Sequence, residues 1–165
     1  MGKTVFQGAG VALVPPMYPD LRINYSMLDQ MIDRQLTGHT DAIVVVGTSG
    51  EGATLTDEEH CEVVEHTVRR VNHRIPVIAG VGSNNTEHAL EQAKHAESVG
   101  ADGILMVTPY YNKTTQKGLI EHFTYVADRV TVPMILYNVP SRTGVNIAPE
   151  TYGELAKHPN INGVK

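Results

Sequence analysis

The sequence predicts a parallel α/β fold, a (β/α)8 barrel of which about six strand–helix units are present. Short β-branched runs alternate with helical patterns at a spacing of about 30 residues, the length of a βαβ unit. Such alternation means a parallel sheet covered by helices. Polar residues recur at or just past the C-terminal ends of several runs: Thr48, Ser49 and Glu51, Tyr110 and Tyr111, Tyr137 and Asn138, and Lys165. An open doubly wound sheet shares the local pattern but concentrates such residues on two strands. Contributions from several strands favour the barrel. A complete barrel needs about 250 residues, and the chain has 165. Residues 1–165 therefore read as one domain, a truncated TIM barrel with about six parallel strands and covering helices, lacking the last βα units and C-terminal helices.

The elements follow in order. Val11 to Pro15 is the first strand, ended by Pro15 and Pro16. A helix runs from Ser26, as N-cap, through Met27, Leu28, Met31, Ile32 and Gln35 to a stop at Gly38. Ala42 to Val46 is apolar throughout, as a strand buried on both faces is. Thr56 to about Asn72 is a helix opened by a capping box, Thr56 with Glu59. Pro76 to Ala79 is a strand, and Gly80 to Asn85 a turn. A helix spans Thr86 to Gly100, Gly103 to Val107 is a strand, and Thr115 to Arg129 a helix. Met134 to Tyr137 is the fifth strand. Pro149 suits the first turn of a short helix reaching Lys157, and Ile161 to Val164 is the sixth strand. By alternation Val44, Val46, Ile78, Leu105 and Ile135 face the barrel interior.

Composition narrows the function. Hydrophobic residues make up 41% of the chain, enough for one globular core. A net charge of −5 and the lack of a basic run argue against nucleic-acid binding. The apolar runs are far too short to span a bilayer, and Met1 to Gly10 has no signal-peptide pattern. The single cysteine, Cys61, allows no internal disulfide and fits a cytoplasmic protein. It shares a helical face with Val64, Val68 and Val71 and reads as a packed core thiol. His88 and His95 lie seven apart, His60 and His66 form no tight ligand pair, and neither HExxH nor a cysteine–histidine cluster occurs. These histidines read as solvated or capping, and no metal centre is expected.

Four segments can carry chemistry. In Gly47-Thr48-Ser49-Gly50-Glu51-Gly52 the glycines let backbone approach a ligand, and successive N–H groups with two hydroxyls can hold a carboxylate or phosphate. No Gly-Lys-Ser/Thr ending follows, so this is not a Walker loop; the alternative is a tight turn with a hydroxyl cap. Pro109-Tyr110-Tyr111-Asn112 and Tyr137-Asn138-Val139-Pro140-Ser141-Arg142-Thr143-Gly144 offer phenols that can shuttle a proton within a relay. They also offer an arginine that can grip a carboxylate. Their alternatives are rim packing and a surface ion pair. Lys165 ends the sixth strand. Desolvated in a barrel mouth, a lysine loses part of its basicity and can form a Schiff base with a ketone; the alternative is a charged chain end.

Taken in order, Val11 to Pro15, Gly47-Thr48-Ser49-Gly50-Glu51, Pro76-Val77-Ile78-Ala79-Gly80, Pro109 to Asn112, Tyr137 to Gly144 and Gly163-Val164-Lys165 resemble the dihydrodipicolinate synthase family. The N-acetylneuraminate lyase family shares the pyruvate-binding loop and the lysine. The Tyr110–Tyr111 pair and Arg142-Thr143-Gly144 look like the synthase instead.

The resemblance implies that pyruvate condenses with Lys165, that the enamine attacks aspartate β-semialdehyde, and that cyclisation gives hydroxytetrahydrodipicolinate, on the route to diaminopimelate and lysine. It implies no cofactor beyond the covalent pyruvate. Tyr137 would give and take the proton, linked to Thr48 and to a Tyr111 supplied across a subunit interface. Ser49, standing where the family more often has threonine, would hold the pyruvate carboxylate with nearby N–H groups, and Arg142 the carboxylate of the second substrate.

The resemblance also implies a homo-oligomer. It places an inhibitory lysine site near positions 52, 53, 57, 60, 84, 88 and 110. Here Ala53, His60, Asn84 and Tyr110 are kept, but His88 replaces an acid and Gly52 lacks a hydroxyl, so insensitivity to lysine is expected. Ending at Lys165 sets a carboxylate beside the amine, which favours its protonated form. Two readings therefore stand: a lyase active when the barrel is completed, or an inactive fragment that folds and self-associates through its strand edges.

Overall fold

The computed structural model describes residues 4–165. Six strands alternate with helices: β1 (Gly10–Ala12), α1 (Tyr25–Thr37), β2 (Ala42–Val45), α2 (Asp57–Val71), β3 (Val77–Gly80), α3 (Thr86–Ser98), β4 (Gly103–Val107), α4 (Gln116–Ala127), β5 (Met134–Tyr137), α5 (Pro140–Thr143), α6 (Pro149–Leu155) and β6 (Ile161–Val164). Every pair of sequential strands is parallel, and the sheet order is β1-β2-β3-β4-β5-β6. A doubly wound sheet reverses its order at a switch point. Unbroken sequential order is the wall of a barrel, and it decides between the two architectures.

Local chemistry accounts for most boundaries. Thr56 Oγ1 accepts from Glu59 N at 3.2 Å while the Glu59 carboxylate accepts from Thr56 N at 3.0 Å, closing the expected capping box. Asn72, in the left-handed region, ends the same helix. Asn85 and Thr115 cap α3 and α4. The first helix departs from expectation. Its N-cap is Asn24, which accepts from Met27 N at 3.0 Å, and Ser26 lies inside the first turn. Asparagine caps as well as serine, and the two stand close enough in sequence to be confused. The first strand spans Gly10–Ala12, three residues short of the expected end; Leu13 N adds one more bond to Val44 O (3.0 Å), and Pro15 and Pro16, with no N–H, cannot extend the ladder. α5 was not foreseen: four residues show no helical period, although Pro140 at its start and left-handed Gly144 at its end bracket it.

Side-chain alternation divides the core in two. Ile43, Val45, Val77, Ala79, Ile104, Met106, Met134 and Leu136 point outward and pack with Leu28, Ile32, Val64, Leu119 and Phe123 beneath the helices. Ala42, Ile78 and Leu105 point inward with Val44, Ile135 and Tyr137, and Val5 and Phe6 close against them. Val46 breaks the pattern. Its side chain packs in the outer cluster, although the residue still borders the cavity, because its backbone turns left-handed (φ +49°). Cys61 is half-buried rather than packed in the core, and burial raises its thiol pKa. His60 and His122 are buried, against the expectation for the histidines. His60 Nε2 donates to Gly80 O at 2.8 Å, and His122 Nδ1 meets Thr86 Oγ1 at 2.8 Å. Desolvation lowers the pKa of both, that of His122 to about 4.

Candidate active site

The C-terminal ends of β2 to β5 enclose a cavity of about 750 Å³. Thr48, Tyr110, Tyr111, Tyr137 and Arg142 line it, so the sheet brings together residues up to 94 positions apart (48 to 142). Three loops supply them, each built by local chemistry.

The loop after β2 is drawn into a curl by Glu51 N donating to Thr48 O (3.2 Å) and Gly52 N to Gly47 O (3.3 Å). Among the described residues the N–H groups of Thr48, Ser49 and Gly50 have no acceptor. Successive free N–H groups of this kind form an anion-binding concavity. Thr48 lines the cavity; Ser49 is exposed on the turn beside it and is not part of the lining.

The loop after β4 carries Tyr111 with φ +63° and leaves its ring 91% exposed. An amphipathic ring held out in solvent is placed to meet another surface. No hydrogen bond joins the hydroxyls of Tyr111, Thr48 and Tyr137 among the described residues; the three share a cavity rather than a closed relay.

The loop after β5 is braced from behind. Asn138 Nδ2 donates to Asn146 Oδ1 (2.8 Å) and Asn138 Oδ1 accepts from Ile147 N (3.2 Å). Buried Thr143 accepts from Val145 N at 3.2 Å. Gln116 ties α4 to this segment through Asn146 O, Ala148 N and Thr151. Arg142 is thereby presented on the rigid turn of α5, with its side chain exposed. Lys113 also borders the cavity: a Cβ on Gly144 would lie 2.9 Å from Lys113 Cε. Sequence reading did not single it out for binding.

Lys165 stands at the end of β6. Its N–H donates to Leu136 O (2.8 Å) and its carbonyl accepts from Asn138 N (3.0 Å). The ladder therefore sets Lys165 beside Tyr137, with Nζ 4.3 Å from the centre of the phenol ring, a cation–π distance. The lysine is exposed, not desolvated as expected, because β6 is an edge strand with β5 on one side. No group of three metal-ligating side chains assembles among the described residues. No helix among them is long and apolar enough to cross a membrane.

A model of the dihydrodipicolinate synthetase family matches residues 5–165. The chain is 55% identical over 161 residues to a 4-hydroxy-tetrahydrodipicolinate synthase of Caldicellulosiruptor saccharolyticus, covering 98% of this chain and 55% of that protein. It superposes on the chloride-inhibited dihydrodipicolinate synthase of Acinetobacter baumannii, solved in complex with pyruvate, with a TM-score of 0.96, 47% identity, and coverage of 98% of this chain and 55% of that one. The corresponding enzyme of Cyanidioschyzon merolae, solved with lysine bound, gives 0.95 at 40% identity, over 99% and 56%. The chain thus spans about half the length of the curated relatives it matches.

Proposed function

The chain belongs to the dihydrodipicolinate synthetase family, and from that premise we propose that it carries the Schiff-base half of a lyase that condenses pyruvate with aspartate β-semialdehyde. The observation that carries this reading is Lys165 Nζ lying 4.3 Å from the ring centre of Tyr137, a residue that lines the cavity with Thr48 and Arg142, although Lys165 itself stands outside the lining.

Each residue then has a task. The neutral Lys165 amine adds to the pyruvate ketone, and the resulting carbinolamine takes a proton on its hydroxyl and expels water, giving an iminium that acts as electron sink. Tyr137, in contact with that amine, passes protons during imine formation and enamine tautomerisation. The free N–H groups of the loop after β2, with Thr48 and Ser49, receive the pyruvate carboxylate. Arg142 grips the carboxylate of the semialdehyde. Tyr111, held outward, serves the site of a neighbouring subunit in a homo-oligomer. The chemistry needs no cofactor beyond the covalent pyruvate, and the setting is cytoplasmic. The described residues 4–165 act as one unit of barrel wall.

Mass spectrometry after treatment with pyruvate and borohydride tests this. A stable adduct on Lys165 is expected; no adduct, or one equally abundant on Lys113, would overturn it. A second reading is favoured by the exposure of Lys165: the chain alone folds and self-associates along the edges of β1 and β6 without measurable synthase turnover. Light scattering at low micromolar concentration should then show more than a monomer. Lysine insensitivity is expected of the completed barrel, since His88 offers no anion to an ammonium and the carboxylate beside it, Asp57, already meets His88 Nε2 (2.8 Å), while Ser83 Oγ meets its Nδ1 (3.2 Å). Micromolar lysine binding by calorimetry would refute it.

A further inference from the structure

We propose that Val46 is a positioning residue, whose left-handed backbone and outward-packed side chain hold the Gly47–Gly52 loop in the shape that receives a carboxylate. The inference deepens the reading above and takes its ligand class from it, while its geometry stands independently.

Val46 follows β2 with φ +49°. A β-branched residue is a rare occupant of this region, since its Cβ crowds the backbone there. Alternation from Ala42 and Val44 would send its side chain into the barrel interior. The left-handed turn sends it outward beside Val45, where it is 4% exposed within the cluster beneath the helices. Gly47 lies over the interior in its place: a Cβ there would be 3.7 Å from Val44 Cγ1 and 3.9 Å from Leu105 Cδ2. The cavity floor keeps the room a valine would fill.

Three glycines close on the same peptide. A Cβ on Gly50 would lie 2.7 Å from Val46 N and Cα, one on Gly52 2.2 Å from Val46 O, and one on Gly80 2.5 Å from Val46 O. None of these positions accepts a side chain unless the peptide moves. Gly80 is fixed in turn by His60 Nε2, which donates to its carbonyl. A strained conformation persists only where surrounding contacts over-determine it, and here they come from the core, β3 and the loop itself. The result is a curl whose N–H groups at Thr48, Ser49 and Gly50 have no acceptor among the described residues.

The test uses the 165-residue chain, 15N-labelled and titrated with acetate while the Thr48, Ser49 and Gly50 amide resonances are followed. The parent chain should show saturable shifts. Val46→Ile, which keeps the anchor, should bind within about twofold of it, and Val46→Gly, which loses the anchor, at least about fivefold more weakly. Gly80→Ala, which pushes on the same peptide, should weaken acetate in the same direction. Circular dichroism on each variant confirms that it is folded at the titration temperature. A mere packing role predicts a lower thermal midpoint with unchanged acetate affinity. That result, or a parent chain whose loop amides ignore acetate, overturns the proposal. If acetate behaves as expected but pyruvate and borohydride leave Lys165 unlabelled, the reading of function fails and the role of Val46 stands.

Discussion

On the outer face of the sheet Phe123, Leu28, Ile32, Met106 and Met134 are fully buried in one cluster that joins strand and helix side chains. On the inner face Ala42, Ile78 and Leu105 are the buried apolar side chains among the described residues, while Val44, Ile135 and Tyr137 are half-exposed. The same strands build both faces, so the difference does not come from strand propensity. It comes from what covers each face. Amphipathic helices close the outer one, whereas the inner one is covered only near Val5 and Phe6 and opens at its other end into the cavity. The outer face holds the fold and the inner face presents the candidate site.

This division can be broken by substitutions that separate activity from stability. The largest effect should come from Lys165→Ala. It should remove the borohydride-trapped pyruvate adduct entirely while leaving the thermal midpoint unmoved, because the side chain is exposed. A lowered midpoint would mean that the rim also supports the fold. Next, Phe123→Ala should cost about 3–5 kcal/mol in chemical denaturation, whereas Ile135→Ala on the half-exposed inner face should cost only about 1–2 kcal/mol. Equal costs would show the two faces to be packed alike.

Acid should attack the outer side through its buried imidazole. The folded pKa of His122 is depressed to about 4 by desolvation, so the unfolded chain binds the proton first. Its contribution is fully present above pH 6.5 and is lost as pH falls from there to about 4. The whole shift is worth up to about 3 kcal/mol. His60 is depressed in the same direction and adds to the slope. Denaturation midpoints across this window should fall with pH, and His122→Gln should flatten the curve. Smallest is Thr56→Ala, which deletes the capping box of α2 at a cost of about 1 kcal/mol and should leave pyruvate trapping intact.

Much of the site was legible because its residues stand at strand ends, where local pattern alone locates them. Thr48, Tyr111, Tyr137 and Arg142 come to one cavity as their positions implied. Ser49 lies just outside the lining, since a strand end fixes the height of a residue on the barrel and not the direction of its side chain, and Lys165 is exposed because β6 is an edge strand. Lys113 carried no signal because its approach depends on a glycine 31 residues away (113 to 144).

By itself the sequence determined the order and type of every element but α5, the parallel sheet, the capping box at Thr56 and the inward set Val44, Ile78, Leu105 and Ile135. These depend on period, propensity and caps, which act over a few residues. Only the tertiary structure decided that the Val46 side chain turns outward, that His60 and His122 are buried, that Cys61 is half-exposed and that Tyr111 projects into solvent. Each of those outcomes is set by atoms distant in sequence. Gly80 presses on the Val46 peptide and Thr86 meets the His122 ring, and only folding brings such partners within contact.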